Sequence, residues 1–187
     1  RCGCSLATQD NCGEEMNRLV VGIDPGKDGA LVALDFEGRP KRICLTKEMF
    51  TVPVGKGSRR EYDAAAMGSC LMELHGLFGI ELIIIEKQQA MPGNGVSSMF
   101  SLGMGYGLWL GAIGALGIPV QIVHPRTWQK RVLKDVPGQG KGRAILLCGQ
   151  RLPGVCLTPG RKRKPHDGIA DAACMSLYGL LEGGHFR

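Results

Sequence analysis

Four consecutive apolar residues, Leu82 to Ile85, run directly into the acidic residue Glu86. A run this short and continuously apolar is typical of a strand that is buried on both faces in the middle of a sheet. An ionised carboxylate at the end of such a strand destabilises the fold unless it is paired or bound to a cation. Glu86 is therefore a candidate site residue, and a salt bridge to Lys87 or another base is the structural alternative.

Other apolar runs predict the rest of a sheet. Residues 19–23 and 30–34 are separated by a Pro-Gly turn, which predicts a hairpin. A third strand is expected around 42–45, and residues 119–123 predict another buried strand. The segment 52–61, with a proline, two glycines and three basic residues, is predicted to be a loop.

The segments between and after these strands carry apolar residues at helical spacing, which predicts helices. Apolar residues recur on one face from Asp63 until Gly79, which is placed to end a helix. Further helices are predicted over residues 96–116, 125–134, 141–150 and 167–181. The order predicts an α/β fold, with a mixed five-stranded sheet (a three-strand antiparallel meander plus parallel strands) flanked by helices. Residues 18–187 have the length of one domain, and residues 1–17 are interpreted as a flexible N-terminal extension.

The predicted helix over 96–116 is rich in glycine. Each interior glycine costs about 1 kcal/mol relative to alanine, so the five present imply close backbone approach to another helix or to a ligand. The apolar stretch 103–120 is interrupted by these glycines and by Pro119, and it falls short of a membrane span of about 20 residues. We therefore expect no membrane segment.

Three further acidic residues stand at the ends of predicted elements. Asp24 follows the first strand directly, and an ordinary Asx-turn residue is the structural alternative there. Asp167 and Asp171 are four residues apart at the start of the last helix, so their Cβ atoms lie about 5–6 Å apart on one face. N-capping of the helix by Asp167 is the alternative at that position.

The four carboxylates Asp24, Glu86, Asp167 and Asp171 together predict a shared divalent-cation site. Oxygen ligands without a His/Cys cluster favour Mg²⁺ or Mn²⁺ over zinc, and His166 is held in reserve as an added ligand. Two ions about 3.5–4 Å apart can activate a water and stabilise the leaving 3′-oxygen of a phosphodiester. Phosphodiester hydrolysis is the reaction that this set predicts.

Positive charge is concentrated in one part of a chain whose formal net charge is +6. Between residues 126 and 164 one acid, Asp135, faces eleven basic residues. Surface Lys and Arg replace the counterions of phosphates, so a nucleic acid is the expected partner, and a merely solvated basic face is the alternative. Lys130 and Lys141 are candidates to neutralise the non-bridging phosphate oxygens.

Three short segments, in this order, are similar to the signatures of a known family. Residues 23–26 (IDPG), 85–88 (IEKQ) and 170–173 (ADAA) resemble those of the RuvC-type Holliday junction resolvases. Residues 104–111 and 119–128 resemble more closely the plant and algal branch, the monokaryotic-chloroplast resolvases. The resemblance implies an RNase H-like fold, a homodimer that binds a four-way DNA junction, paired symmetric nicks and a location in the chloroplast.

The resemblance covers about residues 18–183 and implies roles for individual residues. Asp24, Glu86 and Asp171 match the family's carboxylates, and the remaining ligand role is carried to Asp167. Lys130 and Lys141 keep the eleven-residue separation of two basic residues that bacterial resolvases use near the scissile phosphate. The expected DNA-binding residues are Arg126, Lys130, Arg131, Lys141, Arg143, Lys162, Lys164, Gly105, Tyr106 and Gly107.

The glycine-rich helix also gains a role from this resemblance. A turn at residues 105–107 is expected to approach the junction centre, where Tyr106 or Phe100 would stack on unpaired bases, and core packing or the dimer contact is the alternative. Small residues further along, at Gly107, Gly111 and Gly114, would let two copies pack closely as a two-fold dimer.

Two alternatives stay open, and a third is excluded. Another RNase H-like nuclease, acting on RNA or an RNA–DNA hybrid, would use the same acids, and a non-catalytic junction-binding protein would need only the basic segment. Residues 24–30 (DPGKDGA) also resemble the first phosphate loop of the sugar-kinase and actin class. That class requires a duplicated domain and a second phosphate loop, and neither is found in these 187 residues.

Overall fold

The structure, a computed structural model, describes residues 18–89, 93, 95–140, 142–160 and 163–185. Its strands are β1 (Leu19–Ile23), β2 (Ala30–Asp35), β3 (Pro40–Leu45), β4 (Thr51–Pro53), β5 (Arg60–Tyr62), β6 (Ile80–Glu86) and β7 (Val120–Val123). Its helices are α1 (Thr46–Met49), α2 (Ala64–Phe78), α3 (Val96–Ala115), α4 (Pro125–Val132), α5 (Gly142–Arg151) and α6 (Asp167–Glu182). The predicted extension 1–17 and the site candidates Lys141 and Lys162 lie outside the described residues.

The main sheet has five strands in the order β3-β2-β1-β6-β7. β1 pairs antiparallel with β2, and β2 pairs antiparallel with β3, as the predicted meander requires. β6 lies between β1 and β7 and is parallel to both. This mixed sheet flanked by helices confirms the predicted fold class.

Side chains alternate across the sheet and contribute to two separate cores. Val20 and Ile84 belong to the core that is covered by α4, α5 and α6. Ile23 and Ile85 belong to the opposite core, which is covered by α2 and α3. The same alternation determines the direction in which residues 24 and 86 point.

Helix α6 lies directly on β1 because the contact positions carry small side chains or none. A Cβ atom on Gly22 would lie 2.0 Å from the Ala172 carbonyl oxygen and 2.6 Å from the Ser176 backbone nitrogen. A Cβ atom on Gly179 would lie 2.6 Å from a β1 side chain. Ser176 Oγ donates to the Val32 carbonyl oxygen at 2.8 Å, which also ties the helix to β2. The depth of α6 on the sheet is therefore fixed by backbone contact.

Two predictions about strands were wrong. The segment 52–61 was taken as a loop, but it contains residues of the antiparallel pair β4 and β5. Arg60 links the pair by donating to the Thr51 hydroxyl at 2.6 Å and to the Thr51 carbonyl oxygen at 2.7 Å. Strand β7 was expected to be buried, but residues 120–122 are exposed because β7 is the edge strand of the sheet.

Helix α3 buries one face and exposes the other. Gly105, Trp109 and Ile113 are buried, and of the glycines within α3 only Gly105 makes a close approach, which is to the Tyr62 side chain of β5 rather than to another helix. The other glycines of the helix have open space where a Cβ atom would be: Gly103, Gly107, Gly111 and Gly114. By length and composition α3 qualifies as a membrane span, a test that buried core helices also pass, although only 17% of its apolar window is buried. The expected absence of a membrane segment stays a prediction.

The contact between α6 and β1 generates a stability prediction. Gly22→Val is expected to lower the free energy of unfolding by about 1–3 kcal/mol, because the new side chain overpacks against the α6 backbone. The control is Gly76→Ala in α2, where a Cβ atom would meet nothing within 4 Å. That variant is expected to be more stable by about 0.5–1 kcal/mol. Urea unfolding followed by circular dichroism measures both, and an unchanged midpoint for Gly22→Val would contradict the contact.

Candidate functional site

Asp24 lies at the end of β1, beside the end of β6. The parallel register pairs Ile23 with Ile85, so Asp24 and Glu86 are the next residues on adjacent strands. Because Ile23 and Ile85 both face the core under α2 and α3, the alternation turns the next residue of each strand toward α6. The backbone therefore brings these two carboxylates to the same end and the same face of the sheet.

The loop after β1 folds back over Asp24. The Asp24 backbone nitrogen donates to the Ala30 carbonyl oxygen at 3.0 Å, and the Gly26 nitrogen donates to Asp24 Oδ1 at 3.3 Å. The second bond is the Asx-type contact that was the structural alternative for this residue. A Cβ atom on Gly29 would lie 2.2 Å from the Asp24 carbonyl oxygen, so only glycine permits this fold of the loop.

Glu86 is held by a tryptophan from α4. Trp128 Nε1 donates to Glu86 Oε2 at 2.9 Å, and Trp128 itself is fully buried. Burial raises the pKa of Glu86, although the hydrogen bonds from Trp128 and Gln88 act in the opposite direction. Among the described residues no salt bridge to Glu86 is present, so the predicted alternative of pairing with Lys87 is not observed. The Glu86 carboxylate is thus held in position by Trp128, and not by a salt bridge to a described basic residue.

Asp167 and Asp171 enter the site from the first turns of α6. With Asp24 and Asp28 they line one cleft of about 220 Å³. A Cβ atom on Gly168 would lie 2.5 Å from the Asp28 carbonyl oxygen, so the start of α6 abuts the loop after β1. Asp28 was missed by the sequence reasoning, although it stands only four residues after Asp24.

The N-cap of α6 is His166. Its Nδ1 accepts a hydrogen bond from the Ile169 backbone nitrogen at 3.4 Å, and its own backbone nitrogen donates to the Leu157 carbonyl oxygen at 2.8 Å. Asp167 is the first residue of the helix, so it is not the N-cap that was considered as an alternative. The negative charge of Asp167 is favourable there because the helix dipole is positive at its N-terminus.

The acids of the cleft fit a hard divalent cation by their chemistry. Carboxylate oxygens are the ligands that Mg²⁺ prefers, and three of the four predicted ligands line the same cleft. Glu86 is not among the lining residues. Within the described part of the chain, no three His, Cys, Asp or Glu side chains are arranged as a metal-binding group. The secondary-structure elements thus bring the acids to one place, while their side chains do not converge on one point.

Tyr62 contacts the loop that carries Asp24 and stabilises it. This residue was not predicted from the sequence. Burial, followed by the charges of Asp24 and Asp28, raises the pKa of Tyr62 to about 12. The phenol therefore stays protonated and donates to the Pro25 carbonyl oxygen at 3.3 Å. A Cβ atom on Gly105 would lie 2.3 Å from the Tyr62 ring, so the glycine makes room for it. No local sequence signal marks this residue.

Four of the basic candidates are exposed to solvent: Arg126, Lys130, Arg131 and Lys164. Lys130 follows the buried Trp128 by two positions in α4, and residues two apart do not share a helix face. Lys130 therefore projects away from the contact between Trp128 and Glu86. Its predicted role at the scissile phosphate stays a prediction.

Arg131 and Arg143 have partners within the chain. Arg131 Nε donates to Glu182 Oε1 at 2.9 Å, which links α4 to the end of α6. Arg143 donates from Nε to the Val136 carbonyl oxygen at 3.1 Å and from its terminal nitrogen to the Leu133 carbonyl oxygen. These bonds give Arg143 a structural role in holding the segment that follows α4.

The predicted turn at residues 105–107 was wrong, because these residues lie within α3. Gly105 is buried against Tyr62, and Gly107 is exposed. Tyr106 packs partly against the core under α2 and α3, and burial raises its pKa. Buried Trp109 keeps the segment helical by packing it on that core, despite the glycines.

The raised pKa of Glu86 predicts a pH-dependent stability difference. The pKa of Glu86 in the folded state lies above its ordinary value of 4.5. Protonated Glu86 therefore contributes to the free energy of unfolding below pH 4.5, and this contribution is lost as the pH rises through the folded-state pKa. In metal-free buffer, Glu86→Gln is expected to raise the melting temperature at pH 7, with a gain that disappears below pH 4.5. Glu81→Gln, on the same strand but exposed in a pair with Arg18, is the control and should show no such gain. An equal or lower melting temperature for Glu86→Gln at pH 7 would contradict the burial penalty.

Comparisons with known proteins place this fold. No protein-family model matches the sequence, and no curated protein matches it at a significant level. Thermus thermophilus RuvC in complex with a Holliday junction substrate matches with a TM-score of 0.61 and 19% identity, over 89% of this chain and 96% of that chain. Another structure of T. thermophilus RuvC matches with a TM-score of 0.54 and 18% identity, over the same shares of the two chains.

The yeast mitochondrial Holliday junction resolvase Ydc2 matches with a TM-score of 0.57 and 12% identity, over 90% of this chain and 80% of that chain. These matches give no support to the plant and algal branch that the sequence suggested. At such identities the likeness shows the fold alone. The chain therefore has the RNase H-like fold of the RuvC-type resolvases.

Proposed function

We propose that this chain is a structure-selective DNA endonuclease that resolves four-way junctions by paired symmetric nicks. The observation that carries the proposal is the cleft at the end of β1, which Asp24, Asp167 and Asp171 line next to the strand end that bears Glu86. The fold is shared with a RuvC solved with a Holliday junction substrate and with a mitochondrial Holliday junction resolvase, which supports this substrate class.

The four carboxylates would hold Mg²⁺, or Mn²⁺ in its place, as two ions per site, with His166 as a reserve ligand. When bound, the ions supply activation of a water and stabilisation of the leaving 3′-oxygen. The chain's own contribution is positional. Trp128 orients one oxygen of Glu86, and the loop after β1 fixes the backbone of Asp24.

Affinity for DNA would come from exposed basic residues on the surface of α4 and before α6. Arg126, Lys130 and Lys164 are the described members of this set, and Lys141 and Lys162 join them from the sequence alone. Lys130 and Lys141 would in addition neutralise non-bridging phosphate oxygens. Among the other DNA-binding candidates, Arg131, Arg143 and the buried Gly105 would contribute after release from their present contacts. Tyr106 and Gly107 would contribute from the surface of α3. A chloroplast location is proposed from the sequence resemblance only.

A labelled immobile four-way junction, the matching duplex and an RNA–DNA hybrid test the proposal in Mg²⁺. Symmetric nicks restricted to the junction are expected from the wild-type protein. Asp24→Asn should cut at least about 100-fold more slowly, because the metal ions that would stabilise the transition-state charge lose a ligand. Its binding to the junction in Ca²⁺ should persist. Asp135→Asn, which removes an exposed acid outside the cleft, is the control and should cut normally.

Each alternative gives a different result in the same assay. Preferential cutting of the hybrid would identify an RNase H-like nuclease of another substrate class. Junction binding without cutting in either Mg²⁺ or Mn²⁺ would identify a non-catalytic binding protein. Loss of binding by Asp24→Asn, with normal cutting per bound complex, would contradict the role of that carboxylate.

We further propose that the exposed glycine face of α3 joins two copies of the chain as a dimer. Gly107 and Gly111 lie on this face with open space around them, so a second helix can approach closely. Gly111→Glu is expected to shift the protein from dimer to monomer in analytical ultracentrifugation, because it puts bulk and charge into the contact. Gly76→Glu on α2, which is equally open, should leave the mass unchanged. A monomeric wild-type protein would refute the dimer.

A further inference from the structure

We propose that Cys44 and Cys70 form a modification site, at which a low-molecular-weight disulfide such as glutathione disulfide creates a covalent bond between strand β3 and helix α2. Cys44 is buried in β3, Cys70 is half-buried in α2, and both are free thiols. Neither residue lines the acidic cleft, so the modification does not depend on the proposed nuclease activity.

A neighbouring ion pair aligns the two elements that carry these thiols. Arg42 of β3 donates to Glu73 Oε1 of α2 at 2.6 Å. Residues two apart on a strand share a face, so Cys44 lies on the same side of the sheet as Arg42. Residues three apart on a helix are neighbours, so Cys70 lies beside Glu73. The ion pair therefore joins β3 to α2 next to the two sulfur atoms.

The core under α2 and α3 brings the two thiols into contact. Cys44 belongs to this core, and Cys70 packs against it. The two thiols are hydrogen-bonded to each other across the interface between strand and helix. Two cysteines can be joined without backbone movement only where their backbones are already close. This requirement is met here by the packing of α2 on the sheet.

The two thiols differ in acidity and in access to solvent. The hydrogen bond from Cys44 lowers the pKa of Cys70, burial opposes this shift, and the charge of Arg42 adds to it. The same hydrogen bond and burial raise the pKa of Cys44. The thiolate is the nucleophilic form, and Cys70 is the more accessible of the two residues. Cys70 is therefore the attacking thiol and Cys44 the resolving thiol.

The oxidation consists of two thiol–disulfide exchange steps. The Cys70 thiolate attacks one sulfur of glutathione disulfide, which forms a mixed disulfide and releases one glutathione thiolate. Cys44 then loses its proton, attacks the Cys70 sulfur and displaces the second glutathione. Two protein thiols are oxidised, and the glutathione disulfide is reduced to two glutathione molecules, which take up the two thiol protons.

The experiment exposes the folded protein, as the whole chain, to increasing ratios of oxidised to reduced glutathione. The exchange is quenched with acid, the remaining thiols are alkylated with N-ethylmaleimide in denaturant, and tryptic peptides are identified by mass spectrometry. The tryptic peptide 43–47 contains Cys44, and the peptide 61–87 contains Cys70. In the wild-type protein these two peptides are expected to be joined by a disulfide.

Single substitutions separate the two steps. Cys44→Ser should stop at the mixed disulfide, so its peptide 61–87 is expected to carry glutathione. Cys70→Ser should leave peptide 43–47 as a free thiol, because Cys44 is only 2% exposed. Alkylation of the peptide 61–87 should also require a higher pH in Cys44→Ser than in the wild type, because the hydrogen bond that lowers the pKa of Cys70 is lost.

Other cysteines of the chain provide matched controls. Cys148 and Cys174 are also hydrogen-bonded to each other, but both are buried. They should remain thiols in the folded protein, because the oxidant cannot reach them. Cys156 is exposed and should take up glutathione, which shows that the oxidant is active.

The melting temperature gives a second measurement of the bond. A disulfide between residues 44 and 70 restricts the unfolded chain, so the oxidised wild type should melt about 6–12 °C above the reduced protein. Cys44→Ser, treated in the same way, should show no such increase.

Two results would overturn the proposal. The first is a wild-type peptide 61–87 that carries glutathione, or stays reduced, without a link to peptide 43–47 at the most oxidising ratio. The second is a bond between Cys148 and Cys174 that forms as fast as the bond between Cys44 and Cys70, because the oxidation would then report unfolding rather than a site in the folded protein.

Discussion

The contact of α6 with β1 through Gly22 is the constraint on which the rest of the site depends. The glycine lets the Ala172 and Ser176 backbone lie against the middle strand of the sheet, where any side chain would hold the helix away. The helix axis is thereby fixed in depth, and its first turn reaches the end of β1. Asp167 and Asp171 consequently lie beside Asp24, although more than 140 residues of chain separate them.

The acids are concentrated at this end of the sheet. Four carboxylates, Asp24, Asp28, Asp167 and Asp171, line one small cleft, and burial raises the pKa of Glu86, so ionisation of Glu86 opposes stability. Proteins depart from the rules of good packing and charge pairing mainly at functional sites. The concentration of these departures at one end of the sheet is therefore an argument for function that is independent of the likeness to other proteins.

The sequence predicted the strands of the main sheet and the element ends that carry the acids, because both depend on local patterns. The apolar run before Glu86 and the turn after Asp24 are visible without knowing what packs on them. The contacts that complete the site are between distant residues: Trp128 reaches Glu86 across 42 positions and Tyr62 reaches Pro25 across 37. Strand β7 was wrongly expected to be buried for a similar reason. Its place at the sheet edge depends on the order of the strands, which the composition of the segment does not reveal.

The loop after β1 is held from both sides of the sheet, which bears on how the site would act. On one side Gly29 and the start of α6 close over it, and on the other Tyr62 and Lys27 fasten it to the β4–β5 pair. In the proposed function, Asp24 would thus keep its geometry without a bound ion, so less ordering would be needed when substrate arrives.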